Sequence, residues 1–182
     1  MNRAALEHLL RAAAALTGES TFYVVGSAAI IPSLPGGMAI PDVVVRSREA
    51  DLIPASGSTR AIDLIDGALG QDSTFDGTFG YYADGVEFST VSYAPDGWID
   101  RVVRLSSEAT QDTVGLCMEP HDLAIAKLCA GRDKDLEFVR ALLETSVLEA
   151  DVLVERLGKV QAPDAVVRLA RQRLAAYARK DR

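Results

Sequence analysis

The chain has 182 residues, 48% of them apolar and 25% charged, with a formal net charge of −7. That length and balance suit one folded domain with its own core, or a domain with a small helical appendage, and they exclude disorder as the main state. Apolar runs are short and interrupted by Gly and Pro, which excludes a membrane-spanning helix, and an acidic chain repels nucleic-acid backbone unless its basic residues cluster.

The N-terminal stretch MNRAALEHLLRAAAALTGES has the alanine-rich look of a signal peptide, but Glu7 and His8 sit inside it and Leu6, Leu9, Leu10 and Ala13 recur at helical spacing. It is read as an amphipathic helix over 3–17, ending near Gly18. TFYVVGSAAII predicts a strand at 21–25, a tight turn at Gly26-Ser27 and a short helix from Ala28. SLPGG is a loop, and DVVVRS begins a strand that continues through Glu49, Ala50 and Asp51 to Pro54. A helix follows over 58–69, capped near Ser58 and stopped by Gly70. Tyr81-Tyr82 and VEFSTVSY read as strands of a meander with an Asp84-Gly85 turn between them; DRVVRLSS and TVGLCM read as two more strands.

From residue 119 the texture changes. EPHDLAIAKLCAG places Pro120 at a first helical position, and further helices are expected in LEFVRALLETS, at 148–158 and at 163–179. The expected organisation is a mixed α/β core over 1–118 and a helical C-terminal subdomain over 119–182. Basic residues cluster in RLARQRLAAYARKDR, where a solvated helix face is the main reading and contact with RNA or a partner the minor one. Cys117 and Cys129 form no metal-like pattern and suit a reducing cytoplasm.

Three features carry possible chemistry. Glu49 and Asp51 share one face of an extended strand, where their carboxylates repel each other. A divalent cation would remove the repulsion; the alternative is an edge strand kept soluble by its acids. Gly26-Ser27, between a strand and a helix, is either an ordinary turn or a set of N–H groups suited to a triphosphate. Lys127 lies among apolar neighbours on a helix, followed by the charged break Arg132-Asp133-Lys134-Asp135. Lys127 either snorkels to water or reaches a phosphate; Asp135 either belongs to a capping knot or orients Lys127 or Arg132 toward a ligand.

Taken together, FYVVGSAAI, RSREADLIP, GTFGYYADGVEFSTV…APDGWIDRVVRL and EPHDLAIAKLCAGRDKDLEFVRALL resemble the DUF6036 family of nucleotidyltransferase-like proteins, near the AbiEii-type toxins of the DNA polymerase β-like nucleotidyltransferase superfamily, over about residues 20–146. The resemblance implies an α+β fold, with a mixed β-sheet core, flanking helices and a C-terminal helical part. It implies that Gly26 and Ser27 hold nucleotide phosphates, that Glu49 and Asp51 hold one or two Mg²⁺, and that Lys127, Arg132 and Asp135 belong to a downstream charged motif at the nucleotide. A third carboxylate is usual on a later strand; Glu87 is the candidate for metal binding and catalysis, and Asp84 is the alternate.

The implied function is transfer of a nucleoside monophosphate from a nucleoside triphosphate to an unidentified acceptor (tRNA, protein or small molecule), and the toxin-like relatives add the expectation of a toxin role in a toxin–antitoxin pair, with an antitoxin as protein partner. The alternative is a catalytically inactive module of the same fold that binds a nucleotide or a partner protein through its helical tail.

Overall fold

In the computed structural model, which describes residues 1–34 and 41–177, the N-terminal amphipathic stretch forms α1 (Arg3–Thr17). The Asn2 side chain caps it by accepting from the Ala5 N–H at 2.9 Å. Leu6, Leu9, Leu10 and Ala13 on its apolar stripe are fully buried. The chain divides into two units: Met1–Thr90 with Val102–Met118, and Val91–Arg101 with Glu119–Arg182.

The first unit is built on a five-stranded mixed sheet in the order β3-β2-β1-β5-β4. Its strands are β1 (Thr21–Val25), β2 (Glu49–Pro54), β3 (Tyr82–Gly85), β4 (Val103–Leu105) and β5 (Val114–Cys117). β1 runs antiparallel to β2 and parallel to β5, β2 is parallel to β3, and β4 is antiparallel to β5. Side chains alternate between the two faces of such a sheet. Phe22, Val24, Ala50, Leu52, Ala83, Leu105 and Cys117 fill one face and are buried. On this face the helices come in closely: a Cβ on Gly115 would meet Leu10 of α1 at 2.9 Å, and one on Gly85 would meet the backbone of Ile62. Ile62 lies in α3 (Thr59–Leu69), which is capped by Ser58. The opposite face carries Tyr82, Asp84, Glu49, Asp51, Tyr23, Val114 and Leu116, all half-buried, exposed Arg104, and the buried Val25 and Ile53.

Several expected elements differ. Asp42–Val45, expected to begin a strand, is the single helical turn α2, with Arg46 N–H donating to Asp42 O at 2.9 Å; the strand begins only at Glu49. Pro41 at the N-cap, followed by an acid in the first turn, outweighs the β-branched run. The Asp84-Gly85 pair is not a hairpin turn. It lies inside β3, and β3 pairs in parallel with β2, which requires a crossover; α3 and α4 (Thr74–Phe79) occupy that connection. Gly85 is glycine because α3 backbone lies against it, with Ile62 O only 2.6 Å from where a Cβ would stand. Phe88–Val91, expected as strand, is a 3₁₀ turn, as is Trp98–Arg101. The segment after Gly26 is a seven-residue 3₁₀ helix, Ser27–Ser33, and not an α-helix. The expected SLPGG loop lies mostly outside the described residues.

The second unit holds α5 (Pro120–Ala130), α6 (Asp133–Glu144), α7 (Ala150–Leu157) and α8 (Asp164–Tyr177). Pro120 opens α5, and the Glu119 carboxylate accepts from the N–H groups of His121 and Asp122. Leu123, Ile125, Leu128, Phe138, Leu142, Leu153 and Leu174 form its core. Inside it the Asp122 carboxylate, fully buried, takes two hydrogen bonds from Arg101 at 2.7 and 3.0 Å. Among the described residues, no helix is long and apolar enough to cross a membrane, and both cysteines are free and buried.

Gly85→Ala is expected to push α3 away from β3 and cost about 1–3 kcal/mol, the usual range for overpacking; urea denaturation with the slope held in common checks it.

Candidate metal centre

Glu49 and Asp51 open β2. They are half-buried on one face, and Ala50 and Leu52 between and beyond them are fully buried on the other. The next strand supplies the third acid. In the parallel register Asp84 stands opposite Asp51, and Tyr82 opposite Glu49. One carboxylate oxygen from each of Glu49, Asp51 and Asp84 lies within 4.8 Å of the others.

Three negative charges at that spacing oppose one another by on the order of 3 kcal/mol per pair near a protein surface. The consequence is visible at Asp84. Burial, then the charge of Glu49, then that of Asp66 push its carboxyl above the usual carboxylate range, against a hydrogen bond from the Gln71 backbone N–H. The Tyr82 phenol is pushed up as well, by burial and then by Glu49 and Asp84. Among the described residues neither Glu49 nor Asp84 forms an ion pair with a lysine or arginine. An all-oxygen donor set with concentrated negative charge fits a hard divalent cation such as Mg²⁺ or Mn²⁺.

Gly26 joins this site from the adjacent strand. Val25 stands opposite Asp51. Gly26 has φ +69° and ψ −168°, a backbone conformation open in practice only to glycine, and a Cβ there would lie 1.9 Å from Asp51 Oδ2. The missing side chain is the space that the Asp51 carboxylate occupies. The Gly-Ser turn and the acid pair, some twenty residues apart in the chain, thus meet at one point. Ser27 is half-buried at the start of the 3₁₀ helix, where the first N–H turned inward is that of Ala29, donating to Gly26 O at 3.2 Å.

Glu87 falls past the end of β3, is exposed, accepts from the Ser89 hydroxyl at 3.2 Å, and is not in the three-carboxylate cluster; Asp84 takes that position. The signal for Asp84 was present: Tyr82-Ala83-Asp84-Gly85 alternates, but Asp-Gly read as a turn.

Lys127, Arg132 and Asp135 belong to the second unit and are directed at one another. Asp135 is fully buried; Lys127 Nζ donates to it at 2.9 Å and Arg132 Nε at 2.6 Å. Lys127 Nζ also lies 4.7 Å from the centre of the Phe138 ring, a cation–π contact. Burial alone would raise the Asp135 carboxyl, but the hydrogen bonds from Arg132 and Lys127, and then their charges, bring it below the usual range. These contacts tie α5 to α6.

The family described as "Nucleotidyltransferase of unknown function (DUF6036)" matches residues 4–174. No curated protein and no solved structure matches the chain.

Two expectations follow from this geometry. Gly26→Ala should cost about 1–3 kcal/mol through backbone strain and the displaced Asp51 carboxylate, read by chemical denaturation. Asp135 supplies stability that is fully present above the ordinary aspartate value of about 4 and is lost as pH falls through its lower folded value. Asp135→Asn should therefore flatten the acid limb of the stability–pH curve. At neutral pH it should cost about 3–5 kcal/mol, because Lys127 is left facing no charge.

Proposed function

The chain belongs to the DUF6036 family, and from that premise we propose that it is a metal-dependent nucleotidyltransferase. It moves a nucleoside monophosphate from a nucleoside triphosphate to an acceptor hydroxyl, and Glu49, Asp51 and Asp84 form its metal centre. The observation that carries the reading is the cluster itself: three carboxylates from two adjacent strands within 4.8 Å, with Asp51 lying over the side-chain-free Gly26. A fold could have separated these acids cheaply; holding them together is useful when a cation sits among them.

In the transfer, the acceptor oxygen forms a bond to the α-phosphorus, the bond from that phosphorus to the pyrophosphate oxygen breaks, and the hydroxyl proton is released. Positioning and charge neutralisation account for most of the catalysis in such reactions. Glu49, Asp51 and Asp84 would hold a divalent cation, which would supply neutralisation of the triphosphate and of the developing pyrophosphate. The protein's own contribution is to fix the acids. Asp51 is set by its register with Val25 and Asp84, and by its seat over Gly26. Asp84 is held by the Gln71 N–H, with Asp66 accepting the next backbone N–H, that of Gly85, at 2.6 Å. We assign phosphate contact to Ser27, the residue after the glycine that Asp51 covers.

Lys127, Arg132 and Asp135 have a different assignment. Their mutual contacts support a structural role in the helical unit, and the proposed mechanism uses none of them.

Calorimetric titration of ATP, GTP, CTP and UTP with and without Mg²⁺ tests the reading. Binding is expected to require Mg²⁺ and to weaken by at least about tenfold, or 1.4 kcal/mol, in Asp51→Asn and in Asp84→Asn, with Glu87→Gln unchanged. A folded wild-type protein that binds no nucleoside triphosphate, or binds equally well without metal, would overturn it.

A further inference from the structure

The face of the sheet that carries the acids has a second feature in the same unit, for which the metal centre has no use. Phe88 is 39% exposed, an unusual state for a large aromatic ring, and it packs edge-on against Tyr23, with ring centres 5.3 Å apart and an interplanar angle of 66°. The register places this pair. Val25 faces Asp51 across the β1/β2 ladder, and Tyr23, two residues earlier, faces Ile53 on the same side of the sheet. Tyr23 is therefore the diagonal neighbour of Asp51, about 7–8 Å away along that face.

Phe88 comes to the same place from the other side. Pairing between β2 and β3 continues one residue past Gly85, with Val86 N–H donating to Leu52 O at 2.9 Å. The chain then turns, held by Thr90 N–H to Glu87 O at 3.0 Å, and brings Phe88 across β2 onto Tyr23. The strand that presents Asp84 to the acids thus also delivers an aromatic ring one pleat away from them.

A nucleoside triphosphate has the same layout: a charged phosphate chain at one end and a flat π-system at the other, with a ribose between. We infer that Phe88, backed edge-on by Tyr23, is the stacking surface for the nucleobase of the triphosphate whose phosphates lie at the Glu49–Asp51–Asp84 centre. This inference rests on the nucleotidyltransferase reading of that centre. Phe88 is exposed enough to meet a base, and the Tyr23 ring fixes its tilt. Stacking accepts any base, because every base has a π-face, so the surface selects for nucleotides over bare polyphosphate and favours purines by area without reading hydrogen-bond edges.

The test compares ATP, UTP and inorganic tripolyphosphate, each with Mg²⁺, on the full chain as wild type, Phe88→Ala, Phe88→Leu, Phe88→Trp and Asp51→Asn. In wild type, ATP should bind more tightly than UTP, and both more tightly than tripolyphosphate. Phe88→Ala and Phe88→Leu should weaken ATP by about 10- to 100-fold, the range for loss of one base–aromatic stack, and leave tripolyphosphate unchanged; Phe88→Trp should restore ATP. Asp51→Asn should weaken all three ligands. If ATP binding needs Mg²⁺ and Asp51 but is the same in Phe88→Ala, the metal-centre reading stands and the stacking surface is wrong. If Phe88→Ala weakens ATP and tripolyphosphate alike, Phe88 acts on the fold and not on the base, and the inference is again overturned. If wild type binds neither ligand, both readings fall together.

Discussion

The constraint on which the first unit turns is electrostatic. Three carboxylates are held close enough on one sheet face to repel one another, and one of them, Asp84, is pushed toward its protonated form by burial and by its neighbours. The surrounding structure supplies the force that keeps them there. A fully buried second face (Phe22, Val24, Ala50, Leu52, Ala83) ties the strands to α1 and α3 and fixes the register. A shift of one residue in β2 would turn Glu49 and Asp51 into that apolar layer, so hydrophobic packing on one side specifies the acid cluster on the other. Two glycines complete the arrangement. Gly26 leaves the volume that Asp51 fills, and Gly85 lets α3 approach β3 beside Asp84.

The helical unit shows the opposite treatment of charge. Its buried acids, Asp122 and Asp135, each lie against basic partners, Arg101 in one case and Lys127 with Arg132 in the other. Breaking such a buried pair is costly, which makes these groups parts of the core. His121 fits the same pattern. Its Nδ1 lies 2.7 Å from the Glu119 carboxylate, and its Nε2 accepts the Glu149 N–H at 2.9 Å, which joins the start of α5 to the entry of α7. Within one chain, then, buried acids with cationic partners and, among the described residues, crowded acids without a lysine or arginine partner at Glu49 and Asp84 mark two different uses of the same side chain.

Much of this was legible in the sequence, and the limits have physical causes. The amphipathic period of α1, the Ser58 and Pro120 helix starts, β1 and the same-face placement of Glu49 and Asp51 are local properties, and local patterns announced them. The third acid is non-local: only the parallel pairing of β3 with β2 selects Asp84 over Glu87, and Asp-Gly carries a strong turn preference that tertiary packing overrides. DVVVRS misled for a related reason, since β-branched residues suit a strand but Pro41 and Asp42 start a helical turn just as well. For Lys127 the sequence posed the choice between snorkelling and phosphate contact. It also offered Asp135, eight residues on, as the group that orients Lys127 or belongs to a capping knot, and the packing of α6 on α5 brings that carboxylate to the ammonium. Phe88 gave no sign at all, because its meaning depends on where β1 places Tyr23.

The central claim is that Glu49, Asp51 and Asp84 together hold a divalent cation. Anomalous diffraction from crystals grown with Mn²⁺ and a non-hydrolysable nucleoside triphosphate tests it most directly. The account predicts a manganese peak among the three carboxylates, with the phosphates beside Gly26-Ser27. Bound nucleotide with no manganese among these carboxylates would contradict it.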